Sequence, residues 1–195
     1  KYFEAIFERL DGEKNYFIKS EVDYYLKAAN QTTSKKFDIE LAYELINLYY
    51  EKLVSYSEFQ INLIENTNFD FTINEYLDIF EDDNEWQINM SNIEEIWRLE
   101  TKNDLLVAKL SDSSSDNPKD DISKRYKNRL RRIAQQKEED IFSLAMNILT
   151  NQFDPHSSYL SPRSAEDFDM NMSLKLSGIG ALLGVEDDYT KVISL

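Results

Sequence analysis

"SLKLSGIGALLGVEDDYTKVISL", residues 173–195, is where the texture of the chain changes. β-Forming residues alternate with small and polar ones, Gly178, Gly180 and Gly184 punctuate the run, and "EDDY" separates two strand-like halves. The pattern predicts a β-hairpin. Two strands alone are marginal in water. A chain that finishes on Val192, Ile193 and Leu195 is therefore expected to stop mid-sheet, at the opening of a larger β-containing module. The fold class follows: mainly α, with an N-terminal helical domain over 1–153, a connector over 154–172 and a truncated β module from 173.

Upstream of that change the apolar residues recur at helical spacing. Phe3, Ile6, Phe7 and Leu10 share one face, and "LDGEKNYF" then reads as a turn. Ser20 with Asp23 predicts the N-cap of the next helix. Ala42, Leu45, Ile46, Tyr49, Leu53 and Tyr56 form a long stripe, ended by "ENTNFDFTINEY". Ser91 and Glu94 make a capping box ahead of Ile96, Trp97, Leu105, Leu106 and Leu110. "SDSSSDNPKDD" (111–121) reads as a polar loop. Helix returns from Ser123 to Phe153, with Ile133 and then Ile141, Leu144, Ala145, Ile148 and Leu149 as its apolar side. Asp154-Pro155 ends it, because a residue before proline is driven out of α geometry. No internal repeat or heptad pattern is present.

Composition narrows the function classes. The 195 residues are 42% hydrophobic and 13% aromatic, ample for a buried core, and twelve Tyr and eleven Phe fall mostly at core spacing. A net charge of −15 disfavours nucleic acid and anionic membrane surfaces as partners. With no Cys there is no disulfide or thiolate metal site, and a single His argues against a zinc centre. No cofactor is implied. No apolar run approaches the roughly 20 residues that span a bilayer. The chain opens at Lys1 inside a helical pattern, so residues upstream are expected.

Four motifs invite chemistry. His156 beside Ser157 and Ser158 suggests a hydrolase, but a Ser-His mechanism needs an oriented imidazole within reach of the hydroxyl, which adjacent residues rarely provide. "DPHSSY" reads instead as a helix-stop turn, with His156 a buried or hydrogen-bonded structural residue. The run "KRYKNRLRRIAQQK" (124–137) carries seven basic residues and no acid. In so acidic a chain it is expected to pair with acidic helices of its own domain. Acid pairs such as Asp82-Asp83, Glu138-Glu139 and Asp187-Asp188 lack calcium-loop spacing and read as solvated surface. "SGIGALL" (177–183) is the one segment with a specific mechanism. Glycines at the start of a strand let backbone N–H groups converge on an anion, as in modules that capture a peptide's terminal carboxylate.

From Ser123 onward the chain resembles the bacterial tail-specific proteases, also called carboxy-terminal processing peptidases. The resemblance is carried by "RYKNRLRR", "EEDIFSLAMN" and the ordered series from "DPHSSYLSP" to "SLKLSGIGALLGVE"; "NFDFT", Trp86 and "IEEIW" match more loosely. It implies that the β module is the start of a PDZ domain, with Gly178, Ile179, Gly180 and Ala181 as its carboxylate-binding loop. It also implies a periplasmic serine endopeptidase acting on proteins with apolar C-termini through a Ser-Lys dyad. No nucleophile motif occurs in these residues, so the dyad is expected outside this chain. The helices would then be a non-catalytic scaffold that offers surface to an adaptor protein or a second protomer. The competing reading is a free-standing helical interaction module without protease activity.

Overall fold

The computed structural model describes residues 1–31, 38–77, 85–111, 117–173, 180–186 and 189–194. They fall into two compact units, Lys1–Tyr159 and Leu160–Leu195. In the first, the helices are α1 (Tyr2–Asp11), α2 (Lys19–Gln31), α3 (Ile39–Asn66), α4 (Met90–Leu110), α5 (Pro118–Ala134) and α6 (Glu138–Asn151). The second holds α7 (Pro162–Ser173) and the strands β1 (Leu182–Glu186) and β2 (Tyr189–Ser194). Among the described residues the expected mainly α chain with a terminal hairpin is thus observed.

The core of the first unit follows the helical stripes. Phe3, Ile6, Phe7 and Leu10 of α1 are all buried, against Ala42, Leu45 and Ile46 of α3 and Ile141, Ala145 and Ile148 of α6. Two smaller clusters lie further along α3. Tyr56 packs with Ile93 and Trp97 of α4, while Ile64 packs with Leu105 of α4 and Ile122 and Tyr126 of α5. One helix therefore runs through all three clusters.

Several boundaries differ from the sequence reading. The N-cap of α4 is Asn89, whose side chain accepts from Asn92 N at 3.0 Å, two residues before Ser91. The buried face of α4 is Ile93, Trp97, Thr101 and Leu105, and Leu106 and Leu110 are exposed. At α2, Ser20 is already helical, and Glu21 caps by accepting from Ile18 N at 2.9 Å. Helix α5 begins at Pro118, inside the expected loop, because proline's missing N–H costs nothing at a first helical position. The region read as one helix from Ser123 to Phe153 is broken after Ala134, and α6 restarts with Asp140 accepting from Lys137 N at 3.0 Å.

Candidate functional site

The predicted carboxylate loop is described only at its second half; Gly178 and Ile179 lie outside the described residues. Gly180 has φ +75°, left-handed geometry that a side chain disfavours, yet a Cβ there would meet no atom within 4 Å. Its glycine is needed for conformation rather than for space. Ala181 is half-buried and leads into β1. The antiparallel register pairs Leu183 with Val192, Gly184 with Lys191 and Val185 with Thr190, with an irregularity between Leu182 and Leu183.

Apolar side chains are exposed on both faces of this ribbon, one of which also carries Lys191. Directly paired residues share a face, so Leu183, Val185 and Val192 lie on one side. Ile193 lies on the other and folds across Gly184, where an added Cβ would come within 2.6 Å of its Cδ1. Leu182, Leu183, Val185, Tyr189, Val192 and Ile193 are all exposed, Val185 at 83%. A solvated hairpin ordinarily keeps one polar face. Here Leu183, Val185 and Val192 make one exposed apolar face, and Tyr189 and Ile193 add apolar surface beside Lys191 on the other.

The helical unit holds a second concentration of polar groups, where α3, α4 and α5 meet. The Arg129 guanidinium lies 4.5 Å from the Tyr56 ring centroid and 5.0 Å from that of Tyr126. Its Nε donates to Ser57 Oγ at 2.9 Å, and its Nη2 donates to Gln60 Oε1. Gln60 Nε2 donates to Tyr126 OH, which in turn donates to Asp104 at 2.7 Å. On the far side Tyr56 OH donates to Glu100 at 2.8 Å, and Glu100 also accepts from Asn15 Nδ2. Burial raises the Glu100 carboxyl above the usual range, with the Tyr56 bond opposing. Burial likewise pushes the Tyr56 and Tyr126 phenols up, so both stay protonated donors.

This network does not have the form of a catalytic site. Among the described residues no buried side-chain polar atom lacks a partner. A satisfied set of this kind fixes helix register rather than presenting a reactive group to solvent. Among the described residues, too, no group of three or more His, Asp or Glu is placed to hold a metal. No described helix is long and apolar enough to cross a membrane. The basic run pairs internally as expected: Lys127 meets Glu65 of α3 at 2.7 Å, and Arg125 meets Asp104 of α4.

His156 departs from its expected structural role. Its side chain is exposed, and its backbone N–H donates to Asp154 Oδ1 at 3.0 Å. Asp154 thus caps the turn, and the imidazole is left over. The sequence reading passed over Ser57, Gln60 and Glu100, and Arg129, expected to pair with an acid as part of the basic run, donates to the neutral Ser57 and Gln60. The signal was present, since Ser57 and Gln60 interrupt the apolar face of α3 between Tyr56 and Ile64.

A family comparison bears on the helical part of this architecture. The family described as "Tail specific protease N-terminal domain" matches residues 1–163. The chain belongs to this family. A tail-specific protease of Haemophilus influenzae (strain ATCC 51907 / DSM 11121 / KW20 / Rd) is 28% identical over 200 residues, an alignment that covers all of this chain and 28% of that protein. The chain therefore spans little more than a quarter of the length of that curated relative. The tail-specific protease N-terminal domain accounts for α1 to α6, and the hairpin lies beyond the family match.

Proposed function

We propose that this chain is the N-terminal region of a tail-specific serine endopeptidase, in which the helical unit is a non-catalytic scaffold and the hairpin opens a PDZ domain. The observation that carries the reading is the hairpin with apolar side chains exposed on both faces, later in the chain than a tail-specific protease N-terminal domain. In this reading Gly178, Ile179, Gly180 and Ala181 cradle the terminal carboxylate of a substrate with an apolar tail. The Ser-Lys dyad lies in residues beyond this chain, with a desolvated lysine as base for the serine. The periplasm is the compartment, and an adaptor or a second protomer docks on the helices.

The test pairs this chain with the protein extended to the length of its curated relative. Peptides with apolar C-terminal residues are incubated with each and the products are read by mass spectrometry. The extended protein is expected to cleave them, and to lose most of that activity when the peptide terminus is amidated. The 195-residue chain alone is expected to cleave nothing. Reproducible turnover by the short chain, or indifference to the amide in the long one, overturns the reading.

A further inference from the structure

A groove between α1 and α2 encloses about 200 Å³, walled by Trp86. Its floor is apolar: Phe7 and Val22 are 2% and 3% exposed, with Leu26 beside them. Trp86 meets the Phe7 ring edge-on at 5.6 Å, and Lys19 N donates to Gln87 O at 2.8 Å, which ties the segment carrying the indole to the start of α2. The rim is acidic. Glu4 and Glu8 stand one turn apart on α1, whereas the Asp11 carboxylate is turned inward, its oxygens taken by three backbone N–H groups.

One cation of the chain already lies beside the indole. Lys14 Nζ lies 5.8 Å from the Trp86 ring centroid. Two exposed carboxylates, Glu4 and Glu8, against Lys14 leave the groove negative. Its volume is below the roughly 300–1,000 Å³ of pockets for drug-sized ligands, and suits a single side chain. We propose that this groove binds one lysine or arginine side chain of a polypeptide partner, its methylene stem on Phe7, Val22 and Leu26 and its cationic head between Glu4 and Glu8. A long basic side chain is the natural match, because it carries both an apolar stem and a charged end. The choice of a polypeptide over a free amine rests on the proteolytic reading of this protein.

The experiment labels both tryptophans of the chain with 5-fluorotryptophan and follows their resonances while a short peptide carrying one central lysine is added. Trp97, buried and bonded to Asn15 O at 2.8 Å, is the internal control. Saturable movement of the Trp86 resonance alone is expected. The norleucine peptide, which keeps the stem and lacks the charge, is expected to bind about tenfold more weakly. The double variant Glu4→Gln, Glu8→Gln is expected to lose a similar factor, as two exposed charge contacts would. Both glutamates are exposed, so the variant leaves the core intact. Equal binding of the norleucine peptide, movement at Trp97 instead, or no movement overturns the proposal. Equal affinity for butylamine refutes the polypeptide source. The readout is binding, so a failed cleavage assay leaves it standing, and the reverse also holds.

Discussion

Asp11 ends α1 with its side chain turned inward, 2% exposed, accepting from Asn15 N at 2.7 Å and from Tyr16 N and Phe17 N at 2.9 Å each. Two effects compete there. Burial penalises the charged carboxylate, while the three N–H donors and nearby Lys52 favour it. Burial wins, and the carboxyl is pushed up from 3.8 to about 6. A pKa raised on folding adds stability that is fully present below the unfolded value and is lost as pH rises through the folded one. At 1.36 kcal/mol per pH unit the full effect is about 3 kcal/mol. Between pH 8 and pH 5, which stays above the isoelectric point near 4.5, about 1.4 kcal/mol of it is recovered. Urea unfolding of the natural chain and of Asp11→Asn, followed by near-ultraviolet circular dichroism at half-unit steps, isolates this one group. The stability difference, natural minus variant, is expected to grow by about that amount on acidification. A difference that is flat, or that shrinks toward pH 5, means that the N–H donors outweigh burial and refutes the reasoning.

Two further perturbations probe the helix junctions. Arg129→Lys keeps the charge but cannot reproduce the fork between Ser57 and Gln60, and is expected to cost about 2 kcal/mol in thermal unfolding, against no change if the contacts are incidental. Asn89→Ala is expected to cost about 1 kcal/mol in urea unfolding, while Ser91→Ala stays within about 0.5; the reverse order would restore Ser91 as the cap.

The periodic parts of the fold were legible because burial imposes a period. The α1 stripe and the α6 stripe each land wholly or mostly in the core, although α6 ends at Asn151, ahead of Asp154-Pro155. Helix starts were harder, because several cap residues competed within a few positions. Asn89 and Ser91 both qualify by type, and only the path of the chain into α4 selects Asn89. Asn117-Pro118 followed by Asp120 and Asp121 was a start signal that the run of serines before it obscured. The break after Ala134 carries neither glycine nor proline, so nothing local announced it. The Arg129 network escaped because its members come from three helices, and a polar residue on an apolar stripe shows its partner only when the helices are assembled.

Helix α3 has 28 residues, about 42 Å at 1.5 Å per residue, and it touches α1, α2, α4, α5 and α6. Its early turns belong to the large cluster and its later turns to the two small ones. Such a shared beam leaves no place for one end of the helical unit to melt while the other persists. Its middle amides should exchange with deuterium only when the entire unit opens, making Lys1–Tyr159 a single cooperative block.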